Sequence, residues 1–253
     1  MIILIAGMPR SGSMWTYNVA RECIRTTGDT PLPIEPPVVE KDALHEALEY
    51  ANDDCKTYCI KTHEHVPLNF PIDKFICNYR DVRDAMVSYM KFTHCDFGYG
   101  LHIAERMMSL TDHFFMVQPA RLLKIHFNDV KKSNTTSLVR RISEFLEIDL
   151  PQKDIKKIQN KFTKTKVRNL VNVLSHVDIS KSGQLKKPEL SKSYISTLNR
   201  DGTYRAYDRK SGFQGNHITA TKDAEWKTVF TEEQQEQLLN LTSDWLIRHG
   251  FTL

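Results

Sequence analysis

No apolar stretch in this chain approaches the ~20 residues that a membrane span needs. Its first apolar run, residues 2–6, is too short for a secretory signal and has no basic segment ahead of it. Cysteine is scarce: five residues of 253, namely Cys23, Cys55, Cys59, Cys77 and Cys95. Their number is odd, their spacing is irregular, and nothing beside Cys55 and Cys59 completes a zinc set. Repeats and low-complexity tracts are missing as well. These absences point to a cytoplasmic protein with reduced thiols and no metal. Charge of one sign is also in short supply. The 35 Lys and Arg residues exceed the 31 Asp and Glu by four. That excess is too weak to argue for nucleic acid, but it suits a small polyanionic ligand.

What is present is enough apolar residue, 40 %, to bury a sizeable core in one large α/β domain or two small ones. Residues 2–6 read as a short buried strand. From about Ser13 the pattern turns helical, with Trp15, Val19 and Cys23 at four-residue steps. Residues 30–40 are proline-rich and irregular. Residues 41–52 read as an amphipathic helix, and 57–61, 74–79 and 122–127 as strands. Helices are expected from Asp81 onward, over 101–118 and over 138–146, the last closed by Pro151. Residues 152–200 read as helices and loops over the sheet, and 199–222 as a long functional loop. Thr231, with Glu232, Glu233 and Gln234 behind it, opens a last helix over 231–248 with a capping box. Strands alternating with helices argue for a parallel sheet in a doubly wound layer fold.

The opening segment carries most of the chemistry. Strand, glycine loop and helix N-terminus form the geometry that holds a phosphate, because backbone N–H groups and the positive end of the helix dipole converge there. Gly7 and Gly12 have the spacing of the NTPase loop G-x-x-x-x-G-K-[ST]. Ser13, however, stands where the lysine belongs, and Met14 where the metal-binding hydroxyl belongs. Arg10, inside the loop, supplies the positive charge instead. A loop that keeps the cradle and drops the metal hydroxyl suggests metal-free chemistry on a nucleotide.

Three further segments fall where strands end, the place where ligands bind in open α/β sheets. Lys61-Thr62-His63 offers a base able to take a proton near neutral pH. Arg80, leaving a strand, and Ser88, two helical turns on, would grip a phosphate by a guanidinium fork and a hydroxyl. Arg209 and Lys210 stand in a glycine-bearing stretch with Gly212 and Gly215, followed by Asn216-His217 and later by Trp226-Lys227.

Taken in order, these segments resemble the sulfotransferases that use 3′-phosphoadenosine 5′-phosphosulfate (PAPS). PRSGSMW, Pro9 to Trp15, is similar to that family's PKSGTTW, with Arg10 in place of the usual lysine. KTH, Lys61 to His63, is similar to the segment with the family's catalytic histidine. RDVRDAMVSYMKF keeps the eight-residue spacing from Arg80 to Ser88 found in RNPKDVAVSYYHF. RKSGFQG, with EWK ten residues later, resembles RKGxxGDWK more loosely, and Phe127 stands at the tyrosine of the family's YEDM.

The resemblance implies a single α/β domain over residues 1–253, with a central parallel sheet flanked by helices and a P-loop nucleotide-hydrolase-like fold. It implies transfer of a sulfuryl group from PAPS to a hydroxyl or amine of a small-molecule or carbohydrate acceptor. His63 would be the general base. Arg10 would serve both catalysis and binding. Arg10, Ser11, Gly12, Ser13, Met14 and Trp15 would hold the 5′-phosphosulfate and adenine, and Arg80 and Ser88 the 3′-phosphate. Arg209 and Lys210 would join them at the 3′-phosphate, or residues 215–221 would do so instead. The loops at 30–40, 64–72, 94–101 and 175–200, with Phe70, Phe92, Phe97, Tyr99, His65 and His94, would line an acceptor pocket for a sugar, phenol or lipid. From the residues alone, an ATP-dependent small-molecule kinase and a non-catalytic nucleotide-binding module remain open.

Overall fold

The computed structural model describes residues 1–36, 40–49, 56–198, 202–215 and 222–253. Cys55, Asn216, His217 and the rest of 216–221 lie outside them. In chain order the elements are β1 (Ile2–Gly7), α1 (Ser13–Arg25), α2 (Glu40–Glu49), β2 (Tyr58–Lys61), β3 (Lys74–Tyr79), α3 (Val82–Thr93), α4 (Phe97–Phe115), β4 (Leu122–His126) and α5 (Phe127–Val130). There follow α6 (Thr136–Phe145), α7 (Gln152–Lys161), α8 (Lys164–Ser175), β5 (Tyr194–Leu198), β6 (Tyr204–Asp208), α9 (Trp226–Val229) and α10 (Glu232–Arg248).

Four strands form one parallel sheet in the order β2-β1-β3-β4. A parallel sheet is covered on both faces, so its strands read as unbroken apolar runs. All six residues of β1 are buried. Alternation divides them: Ile3 and Ile5 face a core with Val19 of α1, Ile142 of α6, Ile155 of α7 and Val171 of α8. Ile2, Leu4 and Ala6 face a second core with Phe75 of β3 and Leu110 and Phe114 of α4. Each fully buried Ile or Leu contributes about 1.5–3 kcal/mol. A third cluster, with Met8, Val82, Met86, Trp226, Trp245 and Leu246, seats α9 and α10 against α3 and α4.

The expected strands and most helices are where the sequence puts them. The Thr231 capping box is complete, with the Gln234 side chain returning to the Thr231 N–H. Helix α4 starts four residues before the expected 101, because the Asp96 carboxylate accepts from the Tyr99 N–H and caps it. The larger difference is β5–β6, an antiparallel pair in a stretch read as helices, loops and a long functional loop. The β5 side chains are half-buried or exposed, so no clean alternation marks that strand. Cys23, Cys59, Cys77 and Cys95 are free thiols, and burial pushes the first three up to about 12.

Gly7 ends β1 at φ +120°, and a Cβ there would sit 2.1 Å from the Asn78 carbonyl oxygen on β3. Neither the backbone conformation nor the space admits a side chain. Gly7→Ala is expected to cost about 3 kcal/mol or more, read as a fall in the urea midpoint. A midpoint equal to that of the parent would contradict this packing.

Candidate functional site

All four sheet strands end at one edge, and the segments leaving them enclose a cavity of about 460 Å³. Past β1 the chain turns sharply. Arg10 takes a left-handed φ of 66°, and Gly12, at φ 87°, precedes α1 without a capping side chain. The first turn of α1 therefore offers backbone N–H groups rather than a satisfied cap. A Cβ on Gly12 would lie 3.1 Å from Val130 and 3.3 Å from Phe127, so α5 closes over the loop. The Asn78 amide donates to Thr16 Oγ1 at 2.9 Å and ties the first turn of α1 to β3.

From the loop and the first turn of α1, Arg10, Gly12, Ser13, Met14 and Trp15 line the cavity. Ser11 does not. Its hydroxyl donates to the Met8 carbonyl at 2.6 Å and holds the turn, so Ser11 has only its backbone to offer a ligand. Trp15 is part of the core, and its indole N–H donates to the Phe162 carbonyl at 3.0 Å.

After β2, Thr62 N–H donates to the Ile5 carbonyl, extending the pairing with β1. This brings His63 Nδ1 to 2.8 Å from the Gly7 carbonyl oxygen. A carbonyl only accepts, so Nδ1 carries the proton in the neutral ring and Nε2 is the basic nitrogen. Lys61, the last residue of β2, lines the same cavity, and sequence reasoning used it only as a neighbour of His63.

After β3, Arg80 is buried. It donates to the Arg10 carbonyl at 3.2 Å, stands 3.8 Å from the Asp84 carboxylate, and lies 4.3 Å from the centre of the Phe127 ring. The phenylalanine at the family's tyrosine position thus carries the arginine on its face. Ser88 Oγ accepts from Arg10 Nε at 3.1 Å. Arg10, Arg80 and Ser88, spread over 79 positions of sequence, meet at one point. Burial, with Arg80 and Arg205 as like-charged neighbours, pulls Arg10 down to about 9. Burial also lowers Arg80, against the upward pull of Asp84. Arginine remains charged at neutral pH even so, and the shift records how poorly the pocket tolerates its own positive charge.

Arg209 and Lys210 do not join this group. Arg209 donates to the Ser191 carbonyl at 2.9 Å and pairs with Glu35 at 3.0 Å, and Lys210 is exposed. The inward arginine of this segment is instead Arg205 of β6, which is buried. Its guanidinium lies 3.9 Å from the Phe92 ring centre and donates to the Phe92 carbonyl at 2.5 Å, while Arg10 lies 4.6 Å from the same ring. The C-terminal segment reaches the cavity through Tyr207, Phe213 and Gln214, and Asn18 anchors it by donating to the Ser211 carbonyl at 2.8 Å. Trp226 is core, beneath the Arg83 guanidinium. Of the aromatics and histidines expected to line the acceptor pocket, only Phe92 does so. Phe97 packs on Phe230, and Phe70 packs against the second core.

A parallel sheet that delivers a glycine loop, an uncapped helix start and paired arginines to one edge defines a P-loop-like, nucleotide-phosphate-binding class of enzyme fold. The chain belongs to the sulfotransferase domain family, which matches residues 2–202. It is similar to a flavonol 4′-sulfotransferase of Flaveria chlorifolia, with 24 % identity covering 99 % of this chain and 81 % of that one. Among solved structures it is similar in fold to a mouse sulfotransferase complexed with PAP, with a TM-score of 0.60 and 17 % identity over 97 % of this chain and 83 % of that one. It is also similar to a retinol dehydratase in complex with androsterone and the inactive cofactor PAP, with a TM-score of 0.56 and 15 % identity over 96 % and 80 % of the two chains. No described helix is long and apolar enough to cross a membrane.

Proposed function

We propose that this chain transfers a sulfuryl group from PAPS to a hydroxyl or amine of a small-molecule or carbohydrate acceptor, with His63 as general base. The observation that carries the reading is the convergence of Arg10, Arg80 and Ser88 on an uncapped helix start, with a histidine of fixed tautomer on the neighbouring strand end. An anion brought among the guanidinium groups relieves their mutual repulsion, and the donor set suits a phosphate at two places. Bound there, PAPS supplies a sulfur whose bond to the 5′-phosphate oxygen breaks as its bond to the acceptor oxygen or nitrogen forms, the electron pair leaving with 3′-phosphoadenosine 5′-phosphate (PAP).

The protein's own groups do the rest. His63 Nε2 takes the acceptor's proton, while the Gly7 carbonyl holds Nδ1–H and orients the ring. Backbone N–H groups of residues 11–14 and the Arg10 fork stabilise charge that grows on the departing phosphate oxygen. Arginine serves there as a charge and a fork, not as an acid. Arg80 and Ser88 fix the 3′-phosphate and so place the nucleotide. Arg205, behind Phe92, adds to the positive field.

The test is transfer of label from radiolabelled PAPS to a panel of phenols, alcohols, amines and sugars. One PAP released for each labelled acceptor is the expected result. PAP binding without label on any acceptor would instead support a nucleotide-binding module.

A further inference from the structure

One end of the cavity is built from the exit of β2 and one face of α4. Ile103, Met107 and Leu110 lie at helical spacing on that face and are all buried. Arg106, from the same helix, donates to the Glu64 carboxylate and reaches the His63 carbonyl oxygen at 3.5 Å. Arg106, Glu64 and Lys61 all line the cavity with His63. The proposed base therefore stands between an apolar wall and a cation, Arg106, that is held by one carboxylate, with Lys61 lining the same cavity.

That carboxylate is replaceable. The Arg106 and Glu64 side chains are 40 % and 62 % exposed, and exposed ion pairs of this kind contribute little to stability. A ligand carboxylate could take over the guanidinium fork in the same geometry while Glu64 returns to water. A cationic ligand on Glu64 would instead leave the Arg106 guanidinium without its carboxylate and add a second positive charge beside it.

Resting on the sulfuryl-transfer reading, we propose that the acceptor is a hydroxy acid. It is a phenol or alcohol on an apolar skeleton that also bears a carboxylate, and Glu64 keeps Arg106 in place until that carboxylate replaces it. The apolar skeleton lies along Ile103, Met107 and Leu110, the carboxylate on Arg106, and the hydroxyl at His63, which takes its proton.

The test compares 3-(4-hydroxyphenyl)propionate with its methyl ester in the parent, Glu64→Gln and Arg106→Gln proteins. PAP binding is measured alongside by calorimetry and folding by circular dichroism. The parent is expected to favour the acid by about tenfold or more in kcat/KM. Arg106→Gln should collapse that ratio toward one. Glu64→Gln should lower KM for the acid, whereas a merely structural ion pair would raise it. An ester used as well as the acid by the parent overturns the proposal, as does an acid preference surviving in Arg106→Gln or a raised KM in Glu64→Gln. Sulfation of neutral acceptors alone would also overturn it while leaving sulfuryl transfer intact. Failure of PAP to bind would overturn both.

Discussion

Replacing His63 by alanine should lower turnover by about 10²-fold or more, while PAP binds with an affinity within about twofold of the parent. The split follows from where the ring is held. Its Nδ1–H is fixed on the Gly7 carbonyl at 2.8 Å, at the root of the phosphate loop, so the ring is aimed by the backbone that seats the nucleotide. Removing it takes away the proton acceptor but none of the proposed phosphate contacts, which belong to Arg10, Arg80, Ser88 and the α1 N-terminus. Single-turnover rates with labelled PAPS and calorimetry with PAP separate the two quantities. Unchanged turnover would remove His63 from its role. A parallel collapse of PAP affinity would make it a structural anchor for the loop rather than a base.

Arg80→Ala carries the second large effect. PAP affinity should fall by about 10²-fold or more, the range expected when one partner of a buried, hydrogen-bonded charge pair is removed. Adenosine 5′-phosphosulfate, which lacks the 3′-phosphate, should lose much less. Equal losses for both ligands would contradict placing Arg80 at the 3′-phosphate. The variant also has a pH signature. Burial raises Asp84 above the ordinary carboxylate range, and Arg80 is the largest influence opposing that rise. Without Arg80 the folded protein holds the Asp84 proton more tightly than the unfolded chain does. Stability is then greatest at low pH, where Asp84 is protonated, and is lost as pH rises through the folded Asp84 range. Melting temperature against pH should fall more steeply over that range in Arg80→Ala than in the parent.

The parts of the site that the sequence revealed are those written in contiguous residues. Strand β1, its glycine loop and the start of α1 form one uninterrupted pattern. Arg80 directly follows a short strand and His63 comes two residues after one, so the rule that ligands gather at strand ends singles out both as candidates. What stayed hidden depends on distant partners or on side-chain direction. Arg205 matters because β6 brings it to Phe92, 113 positions away, and nothing local distinguishes it from Arg209. Arg106 acquires its surroundings from Glu64, 42 positions away. Ser11 fits the motif, yet its hydroxyl turns back onto Met8, because a tight loop must satisfy its own carbonyls before it can serve a ligand. The early start of α4 rests on one capping carboxylate, Asp96, in a stretch whose periodicity begins later.

The most direct measurement is a calorimetric titration with PAP in the presence of a chelator, set against ATP with magnesium. A site built on Arg10, Arg80 and Ser88, with Ser13 and Met14 in place of a lysine and a metal-binding hydroxyl, should bind PAP at least about 10²-fold more tightly than ATP–Mg, with no dependence on the metal. ATP–Mg binding as tight as PAP, or PAP binding that disappears with the chelator, would contradict it.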